Sequence, residues 1–153
     1  MIVRAKRSTV IVALVIYLIA VVYVVFLEPT RGAGEHTAPP RWIPVKSTID
    51  FIIEAGQSIH YYRYWAFFLL NLLGNIIMFM PFGGLIAALS GGNANKFRVI
   101  TTAFIFSLSI ELLQLVLNIG VFDADDVLLN TLGAWLGLVW YHSLVKKNVV
   151  LIY

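Results

Sequence analysis

Four long apolar stretches separated by polar segments dominate the chain, at residues 9–27, 65–89, 99–119 and 126–145. Each offers the roughly 20 residues that a helix needs to cross a hydrocarbon core about 30 Å thick. Val and Ile are frequent in them. In water that would favour strands, but in lipid only helices and closed barrels satisfy their backbone polar groups. A barrel would alternate apolar and polar residues over segments of about ten, and no such segments occur. The pattern predicts an all-α fold, a single-domain polytopic bundle with four transmembrane helices.

Residues 28–64 form the one substantial polar connection. Its first part, EPTRGAGEHTAPPR, carries Gly and three prolines, which break regular structure. Its second part predicts an amphipathic helix over about 47–60. Ser47 and Asp50 have the spacing of a capping box, with Asp in place of the usual Glu or Gln. Ile49, Ile52, Ile53 and Ile59 share one face, and Asp50, Glu54 and Gln57 the opposite one. Such a helix either lies on the membrane surface or folds over the mouth of the bundle. Trp42, Tyr61, Tyr62, Tyr64 and Trp65 read as interfacial anchors rather than as a sugar-binding platform.

Composition removes whole classes of function. Hydrophobic residues make up 60% of the 153 and charged residues 12%, with a mean hydropathy of +0.87. A soluble domain of this size could not hide so much apolar surface. With no cysteines, disulfides, thiolate metal sites and a cysteine nucleophile are excluded. Four spans put both termini on one side, with Arg4, Lys6, Arg7, Lys96, Arg98, Lys146 and Lys147. The other side holds Arg31, Arg41, Lys46 and Arg63. The bias predicts cytoplasmic termini and explains the basic charge without a nucleic-acid partner. Arg4, Lys6 and Arg7 ahead of an apolar run also resemble a signal peptide, but the run is long and no clear small-x-small cleavage site follows. It is read as a retained anchor.

Polar residues inside spans are costly and therefore informative. In the third span Ser107, Glu111, Gln114 and Asn118 form one stripe at helical spacing. The second adds Asn71 and Asn75, followed by Pro81, Gly83 and Gly84, which could kink or end the helix. The fourth opens with Asp123, Asp125 and Asp126, acids suited to capping a helix N-terminus. Asp126, Asn130, Gly133 and Gly137 share a face, and the two glycines have small-xxx-small spacing. At 1.5 Å per residue, Glu111 lies about 12 Å from the outer end of its helix, Gln114 about 8 Å, Asn71 about 9 Å, Asn75 about 15 Å and Asn130 about 6 Å. These similar depths predict one polar pocket open toward the outer face. Its ligand-binding residues would be Asn71, Asn75, Ser107, Gln114, Asn118, Asp123, Asp126 and Asn130, and Glu111 is the candidate acid or base. Interhelical hydrogen-bonding alone would explain the serine and the amides; it does not require an ionisable group.

NLLGNIIMFMPFGGL (71–85), ELLQ (111–114) and FDADDVLLNTLGAWLG (122–137) together resemble the VanZ-like membrane proteins. WIPVK (42–46) is similar to that family's Asn-x-x-Pro-Phe-Lys element, with Val45 in place of Phe. The resemblance implies a small multi-helix bacterial membrane protein linked to teicoplanin-type glycopeptide resistance. It carries the family's polar signature onto Asn75, Pro81, Gly83, Glu111, Gln114, Asp123, Asp126, Asn130 and Gly133. One departure matters. Many members have an Arg shortly before the Phe-Asp pair, where this chain has Gly120, so a cation for an anionic group is expected to be missing at the mouth.

Three classes of function follow. The pocket could bind the head group of a membrane lipid, a lipid-linked wall precursor or a glycopeptide at the bacterial plasma membrane. It could instead modify such a molecule, with Glu111 handling a proton. The Asp123–Asp126 spacing could hold Mg²⁺ or Ca²⁺, but capping is the commoner role, and no metal or cofactor is assigned. His60 and His142 are too far from Glu111 to form an acid–base pair with it. The alternative is a small transporter or channel subunit acting as an oligomer; against it, no inverted repeat and no polar path through the inner half are visible.

Overall fold

The computed structural model describes residues 3–27, 39–57, 61–90, 94–145 and 149–152. The fold is helical. Strand β1 (Val3–Lys6) leads into α1 (Arg7–Val22), which ends in a π turn, Tyr23–Leu27. Then come α2 (Lys46–Gln57), α3 (Tyr61–Leu89), α4 (Lys96–Leu117) and α5 (Ala124–Trp140), the last ending in a π turn, Tyr141–Val145, before β2 (Val149–Ile152). The two short strands pair in parallel, Val3 opposite Val149, so both ends of the chain meet at one end of the bundle.

Among the described residues three helices are long and apolar enough to cross a membrane: Arg7–Leu27, Tyr62–Leu89 and Lys96–Leu117. The expected fourth span corresponds to α5, whose regular part has 17 residues. Ile11, Val12, Val15, Ile16 and Ile19 of α1 are exposed, as a lipid-facing helix requires. Its inner side is fixed by Val21 and Val25, which pack on Phe79 and Ile110, and by Tyr17, whose hydroxyl donates to the Met78 carbonyl at 2.9 Å.

Packing of α3 against α5 is the core of the fold. A Cβ on Gly133 would lie 2.2 Å from the Ile76 carbonyl oxygen, one on Gly137 1.9 Å from that of Met80, and one on Gly83 1.8 Å from that of Ala134. The glycines let two backbones touch where any side chain would hold them apart. Of the two effects expected of Pro81, Gly83 and Gly84, an end to the helix does not occur: α3 continues through Pro81 to Leu89. Proline is tolerated within helices in lipid, where neighbouring helices and local adjustment satisfy the freed carbonyl.

Helix α4 starts on Asn95, whose side chain accepts from the Phe97 N–H, and ends at Asn118 in the left-handed conformation, φ 53°. Helix α2 is held against the bundle at one end. Its first turn is folded onto the bundle, as the site geometry below details, while Ile49, Ile52 and Ile53 stay exposed. The expected capping box is not formed. Ser47 turns to α5, and Asp50 pairs with Lys46 at 2.5 Å instead. Residues 28–38, 58–60 and 146–148, including Glu28, Glu35, Ile59, His60, Lys146 and Lys147, lie outside the described residues.

Candidate functional site

At the α2 end, opposite the paired strands, two cavities adjoin. The outer is a cleft of about 600 Å³ between α2, α3 and the start of α5. The inner is a pocket of about 130 Å³ between α3, α4 and α5. Asn71, Val121 and Asp126 line both, so they form a throat joining a wide mouth to a small floor.

The floor is built by the polar groups the sequence singles out. Asn75, Glu111, Gln114 and Asn130 line it together with Asp126. Glu111 is 4% exposed, and its Oε2 accepts from the Asp123 backbone N–H at 3.0 Å. Gln114 Nε2 donates to the Val25 carbonyl at 3.3 Å, which ties α4 to the π turn of α1. Asp126 Oδ1 accepts from Asn75 Nδ2 at 2.6 Å and from Asn71 Nδ2 at 3.4 Å. Asn130 Nδ2 donates to Ser107 Oγ at 2.9 Å. Ser107 is buried and holds Asn130 from behind.

Asn118 does not join them. The stripe predicted it inward, but as the left-handed residue that stops α4 it is exposed. Helical periodicity no longer applies past the last turn.

The mouth differs from expectation in two respects. First, it has cations. Arg41 and Arg63 both line the cleft, so the loss of an arginine at Gly120 does not leave it uncharged. Arg41 Nη1 is 3.3 Å from Asp123 Oδ2. Among the described residues Arg63 has no ion-pair partner. Gly120 itself lies beside the Gln114 side chain. Second, the cleft has an aromatic wall. Phe51, Phe67 and Phe68 line it, with Phe51 stacked on Phe68 at a centroid distance of 5.7 Å.

The segment after Pro40 closes this mouth. Arg41 pairs with residues 122–124 through Arg41 N–H to Phe122 O at 2.8 Å and Ala124 N–H to Arg41 O at 3.0 Å. Trp42 stacks on Phe122, centroids 4.3 Å apart. Val45 then turns with φ 68°, and the chain enters α2. Asp125 caps that helix from across the fold. Its carboxylate accepts from Ser47 Oγ at 2.6 Å, Thr48 Oγ1 at 2.7 Å, Thr48 N–H at 3.0 Å and the Val45 N–H. Burial pushes the Asp125 carboxyl up, but these hydrogen bonds outweigh it and hold it below the ordinary aspartate value. Asp123 caps α5 itself, accepting from the Asp125 N–H at 2.9 Å, and also accepts from Ser47 Oγ at 3.1 Å.

The VanZ/LLP1 family model matches residues 14–146, a stretch that contains every helix of this site. The chain belongs to the VanZ/LLP1 family. It is also 36% identical over 73 residues to Protein VanZ of Enterococcus faecium; the match covers 46% of this chain and 44% of that protein. No solved structure matches. The positions that the sequence resemblance singles out divide by place in this fold. Asn75, Glu111, Gln114, Asp126 and Asn130 line the floor. Gly83 and Gly133 bring α3 and α5 into contact, and Asp123 joins the α5 cap to the mouth.

Sequence reasoning missed Asp125 as a docking residue, and Ser47, Thr48, Arg41, Arg63 and the phenylalanine wall as parts of the mouth. The partners of Asp125 lie 77–80 positions away, and no local pattern announces such a pairing. The arginines were legible as outer-side charges, but their meeting at one cleft depends on how the loop folds back.

Proposed function

We propose that this VanZ-like protein is an integral membrane protein of the bacterial cell envelope that binds the head group of an amphiphile. The ligand would be a membrane lipid, a lipid-linked wall precursor or a teicoplanin-type glycopeptide. α5 would be the fourth span, both termini would lie in the cytoplasm, and the cleft would open to the outer leaflet.

The observation that carries this reading is the joined pair of cavities. The aromatic wall suits an apolar tail, and Arg63, which stands beside Asp123, Asp125 and Asp126 at the mouth, suits an anionic group. The polar floor suits a hydroxyl-, amide- or amine-bearing head. Binding is favoured over flux by what lies past Asn130 and Ser107. There Phe82, Ala103 and Ala134 form a buried apolar cluster, so the polar lining stops at the floor. Glu111 serves the floor as a buried carboxylate that also holds the α5 cap through the Asp123 N–H; an acid–base step is not needed for this function.

The test is purification from native membranes followed by mass spectrometry of co-purifying lipids. Wild type is expected to carry a defined lipid or precursor in near-stoichiometric amount, and Glu111→Gln to carry much less. Identical lipid profiles that merely mirror the bulk membrane would overturn the reading.

A further inference from the structure

We infer that α2 is a flap over the outer cleft: it turns at Val45, is latched shut by Asp125, and admits an amphiphile sideways between Phe51 and the start of α3. The inference rests on the head-group reading above and assigns its route of entry.

The residues that hold α2 down also wall the site. Ser47, Thr48 and Phe51 are its contribution to the cleft lining. Ser47 and Thr48 donate to the Asp125 carboxylate through both hydroxyls and the Thr48 N–H. Phe51 lies on Phe68 and tilts against Tyr64, with ring centroids 5.7 and 5.8 Å apart. Moving α2 therefore opens the cleft along this side. The remaining faces of the helix do not hold it. Lys46 and Asp50 pair with each other, and Ile49, Ile52 and Ile53 are exposed.

The pivot is strained. Val45 has φ 68°, a left-handed conformation in which a β-branched residue is an outlier. The chain just before it is fixed, because the Arg41 backbone pairs with Phe122 and Ala124 and Trp42 stacks on Phe122. The chain just after it is helix. The turn between the fixed segment and the flap thus falls on Val45. Its N–H also donates to Asp125, so one carboxylate both latches the helix and holds the unfavourable turn. Strain of this kind persists only where the surroundings impose it, and it clusters at switch regions. Once Asp125 lets go, Val45 returns to an ordinary φ and α2 turns with it. Phe51 lies about 9 Å along α2 from Val45, so a modest rotation carries its ring off Phe68.

The direction of entry follows from Phe67. It lines the cleft and is 61% exposed, so the aromatic side of the cleft reaches the outer flank of α3, a helix long and apolar enough to cross a membrane. An amphiphile whose tail stays in the bilayer reaches the cleft along that flank. The contact of Phe51 with Phe68 and Tyr64 bars it until the flap moves.

The experiment uses the full chain in dodecyl maltoside and its lack of natural cysteines. Leu72→Cys places a thiol in the cleft, and its rate of reaction with fluorescein maleimide reads the open population. Added to it, Asp125→Asn is expected to raise the rate about tenfold, through loss of hydrogen bonds to a charged acceptor. Val45→Gly is expected to lower it about threefold, because glycine adopts the left-handed turn without strain. Leu117→Cys, on an exposed position of α4 outside both cavities, should react alike in every background. Val99→Cys, buried in the core, should stay silent while the protein is folded. If Asp125→Asn makes Val99→Cys reactive, that variant has unfolded and the slowing by Val45→Gly decides. In parallel, native mass spectrometry follows the loss of co-purified lipid after dilution into lipid-free dodecyl maltoside. Loss should be faster from Asp125→Asn and slower from Val45→Gly. Equal Leu72→Cys rates in all three backgrounds would overturn the flap and leave the head-group reading standing. Shifted rates with unchanged lipid loss would overturn the flap as the route of entry. Shifted rates with no co-purified lipid in any variant would support the moving flap and remove the head-group reading.

Discussion

Asp123, Asp125 and Asp126 sit within four positions and do three different things, because each meets different neighbours. Asp123 caps α5 and pairs with Arg41. Asp126 faces the throat and takes the amides of Asn75 and Asn71. Asp125 points to α2 and receives its first turn. The capping role was legible in the sequence, since acids before an apolar run mark a helix start. The split among the three was not, because it is set by chain segments far away.

Hydrogen bonds to a charged group contribute about 1.5–3 kcal/mol each. Asp125→Asn, which keeps the shape but loses the charge, is therefore expected to weaken α2 docking by about 2 kcal/mol. Hydrogen exchange at Lys46–Gln57 should speed up correspondingly; unchanged protection would contradict the assignment. The pH dependence has a defined sign. Because the folded-state pKa of Asp125 lies below the ordinary 3.8, its contribution is fully present above that value and fades as the pH falls through the folded-state pKa. Protection of α2 should thus be flat from neutral pH down to about pH 4 and fall only below it. A transition between pH 5 and 7 would point to another group.

At the scale of elements, the helices themselves were readable and their ends were not. Apolar length gave three spans within a few residues, since in lipid the backbone must be helical. The start of α3 moved from the expected 65 to Tyr61, and α4 ended at Leu117, two residues short of the expected 119. The second shift follows from the left-handed Asn118, to which hydropathy is blind. The close approach of α3 and α5 was foreshadowed by Gly133 and Gly137, whereas the matching role of Gly83 needed the partner helix. Backbone contact at these glycines gives a sharp contrast. Gly133→Ala would drive a methyl to 2.2 Å from the Ile76 carbonyl oxygen, an overpacking expected to cost about 1–3 kcal/mol or more. Gly74→Ala meets nothing within 4 Å, and the better helix propensity of Ala favours it by up to about 1 kcal/mol. Thermal unfolding in detergent should separate the two variants in opposite directions. Equal stability would mean that the α3–α5 contact is looser than described.

For the whole molecule, the site and the chain ends lie at opposite ends of the bundle. The paired strands β1 and β2 hold the termini together, and the cleft opens beside α2. Positive charge concentrated at the terminal end is the sequence feature that orients the account. The natural absence of cysteine makes single-cysteine labelling clean: Ser8→Cys should react with a membrane-impermeant reagent only after lysis, and Thr48→Cys in intact protoplasts. The pocket as a place was legible from the depths of Glu111, Gln114, Asn75 and Asn130. Its mouth was not, because the loop that supplies Arg41 and the docked first turn of α2 carries no membrane-spanning pattern to read.

The central claim is that the joined cleft and floor hold the head of an amphiphile. Photo-crosslinking in living cells tests it most directly, with a photoreactive residue at Val121 in the throat and a control at Ile105, an exposed position of α4 away from both cavities. A discrete lipid or precursor adduct at Val121, absent at Ile105 and strongly reduced by Glu111→Gln, is the predicted result. Adducts of the same bulk lipids at both positions, indifferent to Glu111→Gln, would contradict it.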